Sequence, residues 1–281
     1  MFKERIRLKD EMNQPLAISS FRGRIQSDYD HSPFLQAISD CRSLLDRPDT
    51  EILLESRNRV GVVKLPQKNG ESVEIVIKEY QSRGINRLKS VFLPTKAFKA
   101  WRGGQALMER GIDSPFPVAY LEKKKGLFLD QSFFLAERVS GVKEIRSLFR
   151  ERPSSELRKI LASLAQYLSC CHDKGILHND LSDGNILVKM DKKGEFRFYL
   201  LDTNRIKCKK RIGLLRRIKN LIRLGIPSAS QSFFLEHYLG RHKVRKDLWV
   251  WYRINKWVYT FFIDLKKKLR LRQLAQKLKI Q

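Results

Sequence analysis

His178-Asn179-Asp180-Leu181-Ser182-Asp183-Gly184-Asn185-Ile186-Leu187-Val188 decides the reading of this chain. An Asp two residues after a His is followed five residues later by an Asn, then by an apolar run, and Leu200-Leu201-Asp202 stands further on. Phosphoryl transfer to a hydroxyl needs one carboxylate facing the acceptor, and an Asn and a second Asp as hard oxygen ligands for the metal that neutralises nucleotide phosphates. His-x-Asp alone would read equally well as a polar turn between a helix and a strand. The spaced Asn and the downstream Leu-Leu-Asp supply the context that turns a motif into a hypothesis.

Outward from that stretch the pattern is α+β. On the N-terminal side, Glu51–Leu54 and Val60–Val63 read as strands of a hairpin turning at Glu55–Arg59, and Val73–Lys78 as a third strand. A helix is predicted over 95–110, ended by Gly111 and Pro115, and two more strands over Val118–Leu121 and Phe133–Ala136. Five strands and one helix, then Glu137-Arg138-Val139-Ser140-Gly141 as a hinge, describe a bilobal protein-kinase-like fold: a small antiparallel lobe before a mainly helical one. Apolar residues at helical spacing over Phe34–Leu45 predict a short helix, while residues 1 to about 33 carry no clear pattern. The expected division is an extension over 1–46, a small lobe over 47–139 and a large lobe over 140–281. Ser155–His172 is a long helix delivering the chain to the loop that begins at His178.

In this frame Asp180 is the candidate base for the acceptor hydroxyl, and Asn185 and Asp202 are candidate magnesium ligands. The Asn185–Asp202 interval is longer than in common protein kinases, and the extra residues fall at Met190–Gly194, a longer hairpin turn. Lys78 ends its strand in Val-Ile-Lys and is assigned to the nucleotide α/β-phosphates. With no GxGxxG before it, Arg57, Asn58 and Arg59 are candidates to help Gly61 at the phosphates. Glu137 and Val139 of the hinge complete the ATP-binding set. His178 is expected to brace the loop by hydrogen bonds, and the other histidines are read as structural.

The net charge is +27, and it is unevenly placed: from Thr203 onward, 22 Lys and Arg stand against three acids. Such a field attracts anionic partners. Four cysteines without a CxxC pair fit a reducing compartment, and the first residues lack the apolar core of a secretion signal. No stretch approaches the roughly 20 apolar residues that span a bilayer. The expected location is cytoplasmic. Val250, Ile254, Trp257, Val258, Phe261 and Leu265 form a stripe at helical spacing, with Lys266, Lys267, Lys268, Arg270 and Arg272 around its far end. A basic amphipathic helix with Trp and Phe suits an anionic membrane surface, but the stripe is expected to pack against the large lobe while the charges face anionic lipid or sugar. Arg211, Arg216, Arg217, Lys219 and Arg223 form a second basic cluster, expected near the acceptor.

The loop His178–Leu187, the stretch Leu201-Asp202-Thr203-Asn204-Arg205, and Ala100-Trp101-Arg102-Gly103-Gly104 through Gly111-Ile112-Asp113-Ser114-Pro115 together resemble the Kdo/heptose lipopolysaccharide kinases of the protein-kinase-like superfamily. The resemblance covers roughly residues 51–206. It implies an ATP- and magnesium-dependent kinase acting on a sugar of the lipid-linked inner-core oligosaccharide, peripheral on the inner face of the bacterial inner membrane. Departures from common protein kinases are Asn179 before the Asp, Ser182 where those enzymes carry a Lys, Thr203-Asn204 after the metal-binding Asp, and no Ala-Pro-Glu. The acidic partner of Lys78 is left open between the Gln105 and Glu109 regions. Kinases of proteins or of small molecules such as aminoglycosides are the alternative, though cationic antibiotics favour acidic sites. A pseudokinase scaffold conflicts with retention of Lys78, Asp180, Asn185 and Asp202. No nucleic-acid recognition motif is present.

Overall fold

The computed structural model describes residues 13–56, 58–81, 90–151, 154–192 and 194–269; Arg57, Arg270 and Arg272 lie outside them, as does the side chain of Lys267. Contacts divide the chain into a sheet unit of residues 1–105 and 115–139 and a helical unit of residues 106–114 and 140–280.

The sheet unit is a seven-stranded antiparallel sheet rather than the expected five strands. Its strands are β1 (Asn13–Ile18), β2 (Phe21–Gln26), β3 (Glu51–Glu55), β4 (Asn58–Pro66), β5 (Ser72–Tyr80), β6 (Pro117–Lys125) and β7 (Phe128–Glu137), in the order β1-β2-β6-β7-β5-β4-β3. The segment read as an extension therefore supplies two strands, and Leu16, Phe21, Ile25 and Tyr29 go into the core. The predicted helix over 34–45 is two helices, α1 (Ser32–Ile38) and α2 (Cys41–Asp46). Asp40 starts the second by accepting the Ser43 N–H at 3.1 Å and its hydroxyl at 2.7 Å, an N-cap that interrupts the turn before it. Those bonds hold the Asp40 carboxyl below its usual range. Phe34, Ile38, Cys41, Leu44 and Leu45 pack with Ile75, Ile77, Phe133 and Leu135 of the sheet. The small lobe was expected to carry one helix; the unit also holds α1 and α2 besides residues 96–105 of α3 (Lys96–Glu109).

The helical unit contains β8 (Lys143–Glu144), α4 (Ile145–Glu151), α5 (Ser154–Asp173), β9 (Ile176–His178), β10 (Ile186–Met190), β11 (Phe196–Leu200), β12 (Ile206–Cys208), α6 (Leu214–Leu221), α7 (Gln231–Leu239) and α8 (Lys246–Lys268). Leu161, Leu164, Leu168, Ile186, Phe198, Ile218, Phe234 and Tyr252 form one core across these elements. The turn after α3 is tied to it by Asp113, whose carboxylate takes Arg197 at 2.8 and 3.1 Å and whose carbonyl takes the Leu200 N–H at 3.1 Å.

The stripe on α8 departs from expectation. Val250, Ile254, Trp257 and Phe261 are 53%, 56%, 67% and 51% exposed, whereas Leu248 and Tyr252 of the other face are buried. Among the described residues, no helix is long and apolar enough to cross a membrane.

Candidate active site

The segment His178–Asn185 leaves β9 and closes in a short 3-10 turn before β10. Its geometry is set by backbone bonds rather than by packing alone. Asn185 donates its side-chain amide to the Asp180 carbonyl at 2.8 Å, which commits the nitrogen and leaves the amide oxygen as the atom able to ligate a metal. The Leu201 N–H donates to the Asn185 carbonyl at 2.9 Å, so Asp202 follows directly from a residue bonded to Asn185. β10 and β11 pair in register from Ile186–Leu200 to Met190–Phe196, and the predicted long turn lies between them.

His178 joins the two halves. It is buried, its Nδ1 accepts the Asp180 N–H at 3.1 Å, and its Nε2 lies 2.7 Å from the Leu201 carbonyl. That pattern fixes a neutral imidazole protonated on Nε2, and burial depresses its pKa. A second buried histidine stands behind it. His172 Nδ1 lies 2.6 Å from the Tyr238 hydroxyl and Nε2 lies 3.0 Å from Asn220 Oδ1, while Asn220 Nδ2 donates to the His178 carbonyl at 2.8 Å. The loop is thus suspended from α5, α6 and α7.

Asp202 has φ 49° and ψ 48°, left-handed backbone outside a glycine. Asp tolerates this region better than most residues, and such outliers cluster at functional sites. Arg205 N–H closes the turn on the Asp202 carbonyl at 2.9 Å, and Arg205 carbonyl takes the Asn179 backbone and side-chain N–H groups at 3.0 and 3.1 Å. Asp180, Asn185 and Asp202 are therefore brought together by a hydrogen-bonded pair of loops. The donor set suits magnesium, which takes one or two protein carboxylates and completes its shell with water and phosphate oxygens.

In the sheet unit, register sorts the other candidates. Lys78 pairs with Val60 and Asn58 with Tyr80, so Lys78 and Asn58 share one face. Lys78 Nζ lies 5.3 Å from the Tyr80 ring centroid, and Asn58 Oδ1 is buried without a hydrogen-bond partner. On that face Tyr80, Phe134 and Ala136 pack with Ala97, Ala100 and Trp101 of α3. Arg59 pairs with Glu79 and Gly61 with Ile77, on the opposite face. Arg59 is held by Asp46 and donates to the Leu45 carbonyl at 2.8 Å. A Cβ on Gly61 would stand 2.8 Å from side-chain carbons of Leu45 and Thr50, so this glycine admits the close approach of α2. The expectation that the Arg59 side chain helps at the phosphates is thereby corrected.

Glu137 pairs with Ile75, also on the far face, where its carboxylate accepts the Tyr29 hydroxyl at 2.6 Å. That bond and burial raise the Tyr29 pKa, burial being the larger cause. The Glu137 N–H is bonded to the Phe116 carbonyl at 2.9 Å. Val139 closes the sheet unit. Gln105 is buried with Nε2 unpartnered, and it belongs to the same unit as Lys78, whereas Glu109 belongs to the helical unit.

A model of the lipopolysaccharide kinase (Kdo/WaaP) family matches residues 56–238, well over half of the chain. The chain belongs to that family. Among solved structures, "WaaP in complex with acyl carrier protein" is similar, with a TM-score of 0.54 and 18% identity, covering 76% of this chain and 90% of that one. At that identity the likeness bears on the fold, which is protein-kinase-like as the motif spacing implied. Comparison with curated proteins returns no match. As a lipopolysaccharide kinase the protein is a phosphotransferase of lipopolysaccharide core synthesis.

Arg223, of the basic cluster expected near the acceptor, forms an ion pair with Asp180. Sequence reasoning missed other residues that shape this kinase's loop. Arg146 lies 3.3 Å from Asp183. Asn220 ties the two histidines together. None carries a local signal, because each reaches the loop from a distant element.

Proposed function

We propose that this lipopolysaccharide kinase transfers the γ-phosphoryl group of ATP to a hydroxyl of an inner-core Kdo or heptose, on lipid-linked acceptor at the cytoplasmic face of the inner membrane. Asp180 orients the acceptor hydroxyl and takes its proton. Asn185 and Asp202 would hold magnesium, which supplies neutralisation of the phosphate charge. Lys78 holds the α/β-phosphates, with Asn58, Val139 and the Glu137 carbonyl as further nucleotide contacts; Arg57 keeps the same role by sequence alone. The observation that carries this reading is the Asp180–Asn185–Asp202 constellation, hydrogen-bonded into one unit, in a chain of this family. Phosphoryl transfer asks chiefly for positioning and charge neutralisation, and a loop suspended from three helices meets the first demand.

The exposed face of α8 supports the membrane part. Val250, Ile254, Trp257 and Phe261 lie open, with Trp257 and Phe261 stacked at 5.6 Å, and Arg253, Lys266 and Lys268 are exposed on the same helix. A helix with aromatic residues on one side and cations beside them suits an anionic lipid surface.

The test is incubation of purified protein with γ-labelled ATP, magnesium and lipid A–Kdo or deacylated core acceptor. Label is expected on the glycolipid, and both Asp180→Ala and Asp202→Ala should abolish transfer while retaining the wild-type circular dichroism spectrum. Label on protein alone, or full activity in either variant, would refute the proposal.

A further inference from the structure

We propose that Arg223 is the cation that screens Asp180 from the incoming phosphoryl group, in place of the lysine that Ser182 displaces in this loop. The proposal rests on the phosphotransfer reading above. Arg223 follows α6 and lies 43 residues beyond Asp180 in sequence, yet its Nη2 pairs with Asp180 Oδ1. Nη1 reaches towards the Asn179 carbonyl at 3.5 Å. The guanidinium carbon lies 5.7 Å from the ring centroid of Tyr259 on α8, and Nε is buried without a hydrogen-bond partner.

The backbone that presents this side chain is clamped. Ile222 and Leu224 on either side are buried, and Lys256 of α8 donates to their carbonyls at 3.0 and 2.7 Å. Only the side chain between them is free to face outward: Arg223 is 37% exposed and Asp180 26%. Arg217, the other half-buried arginine of the cluster, is already bound to Asp173 and donates to the Ile212 carbonyl at 2.8 Å. The cation at the carboxylate is therefore set in place by anchored neighbours, and general surface charge does not explain it.

The reaction gives that cation a task. The acceptor oxygen bonds to the γ-phosphorus, the bond from that phosphorus to the β–γ bridging oxygen breaks, ADP leaves, and the hydroxyl proton passes to Asp180 and on to solvent. Charge spread over the equatorial phosphoryl oxygens thus arrives beside a carboxylate, and like charges a few ångströms apart repel. A guanidinium has a planar fork of five donors and no acceptor. With one Nη on Asp180, it retains donors for the phosphoryl oxygens and neutralises both partners at once. A lysine could supply the charge but not the fork.

The experiment compares wild type, Arg223→Met, Arg223→Lys and the double variant Arg223→Met/Ser182→Lys in the glycolipid transfer assay. Thermal melting and circular dichroism are recorded for each. Arg223→Met should lower kcat about 100- to 1000-fold, with the KM values for ATP and acceptor within about threefold of wild type. Arg223→Lys should recover about tenfold of that loss, and Ser182→Lys should recover activity in the Arg223→Met background by returning a cation to the loop. If Arg223→Met melts far below wild type, Arg223→Lys and Arg223→Gln carry the same comparison. A kcat near or above wild type in the methionine variant would overturn the inference, as would a defect confined to acceptor KM. Wild-type protein that transfers no label to glycolipid would instead overturn the functional reading beneath it.

Discussion

The buried histidines make acid sensitivity a quantitative consequence of the loop's construction. His178 Nδ1 accepts the Asp180 N–H, so a proton there would set two donors against each other; His172 is buried between Tyr238 and Asn220. Burial is the leading cause of the lowered pKa at both. The unfolded chain titrates each near the ordinary value of about 6.5. Between that pH and the lower folded values, the unfolded state binds more protons, so stability falls as pH falls through this window. From pH 7.5 to 5.5 free titration of the unfolded chain limits the loss to about 1.4 kcal/mol per histidine. His178→Gln keeps a donor and an acceptor but not the proton site. Denaturant unfolding of wild type and His178→Gln at both pH values isolates the contribution, because every other group is common to the two proteins. The variant should be less stable at pH 7.5, yet lose less stability than wild type on acidification, by a margin of at most about 1.4 kcal/mol. Equal losses in both would show that His178 is not held neutral by its two bonds, and the account of how the loop is braced would fall.

Three further outcomes are expected. Asp202→Gly should be about 1 kcal/mol more stable than Asp202→Ala, because glycine enters left-handed backbone freely; both should be inactive, and melting with the label assay separates strain from chemistry. Gly175 has φ 74° and a Cβ there would stand 2.0 Å from the Lys209 carbonyl, which pairs the chain after β12 with the chain before β9. Gly175→Ala should therefore cost about 3 kcal/mol, read by thermal melting; a wild-type melting temperature would contradict the register. Trp257→Glu/Phe261→Glu should lower partitioning onto anionic vesicles by about two to four orders of magnitude, since burying each ring is worth about 1.5–3 kcal/mol. Sedimentation with vesicles checks it, and unchanged binding would leave the exposed face of α8 without a lipid role.

What was legible in the sequence follows a physical boundary. The loop His178–Asn185 could be read because its function is encoded in local spacing: a turn of fixed length sets Asn185 against the Asp180 carbonyl, and Leu201 is bonded to the same asparagine. Strand alternation likewise placed Lys78 on β5. The hairpin turn Glu55–Arg59 suggested Arg59 as a phosphate contact, but which face a side chain takes is set by pairing, and the Arg59–Glu79 register puts Arg59 against α2. The first two strands were missed because Asn13–Gln26 alternates weakly and is buried by neighbours more than 90 residues away on β6.

The helix α8 shows why periodicity has a limit even when it is strong. Val250, Ile254, Trp257, Val258 and Phe261 define one stripe; Leu248, Tyr252, Lys256 and Tyr259 define another at the same spacing. A helix apolar on one side announces which side packs, but a helix with two such stripes does not. The buried stripe is the one whose polar members find partners: Lys256 reaches the Ile222 and Leu224 carbonyls, and burial pushes its pKa down to about 8 against the opposing pull of Asp183. Tyr259 lies under Arg223. The wholly apolar stripe has no such partner within the fold's described residues, and it is the one left outside. Burial was decided by which face could satisfy the carbonyls at the end of α6 and the guanidinium at Asp180, so the face that looks most core-like in sequence is the one the fold leaves exposed.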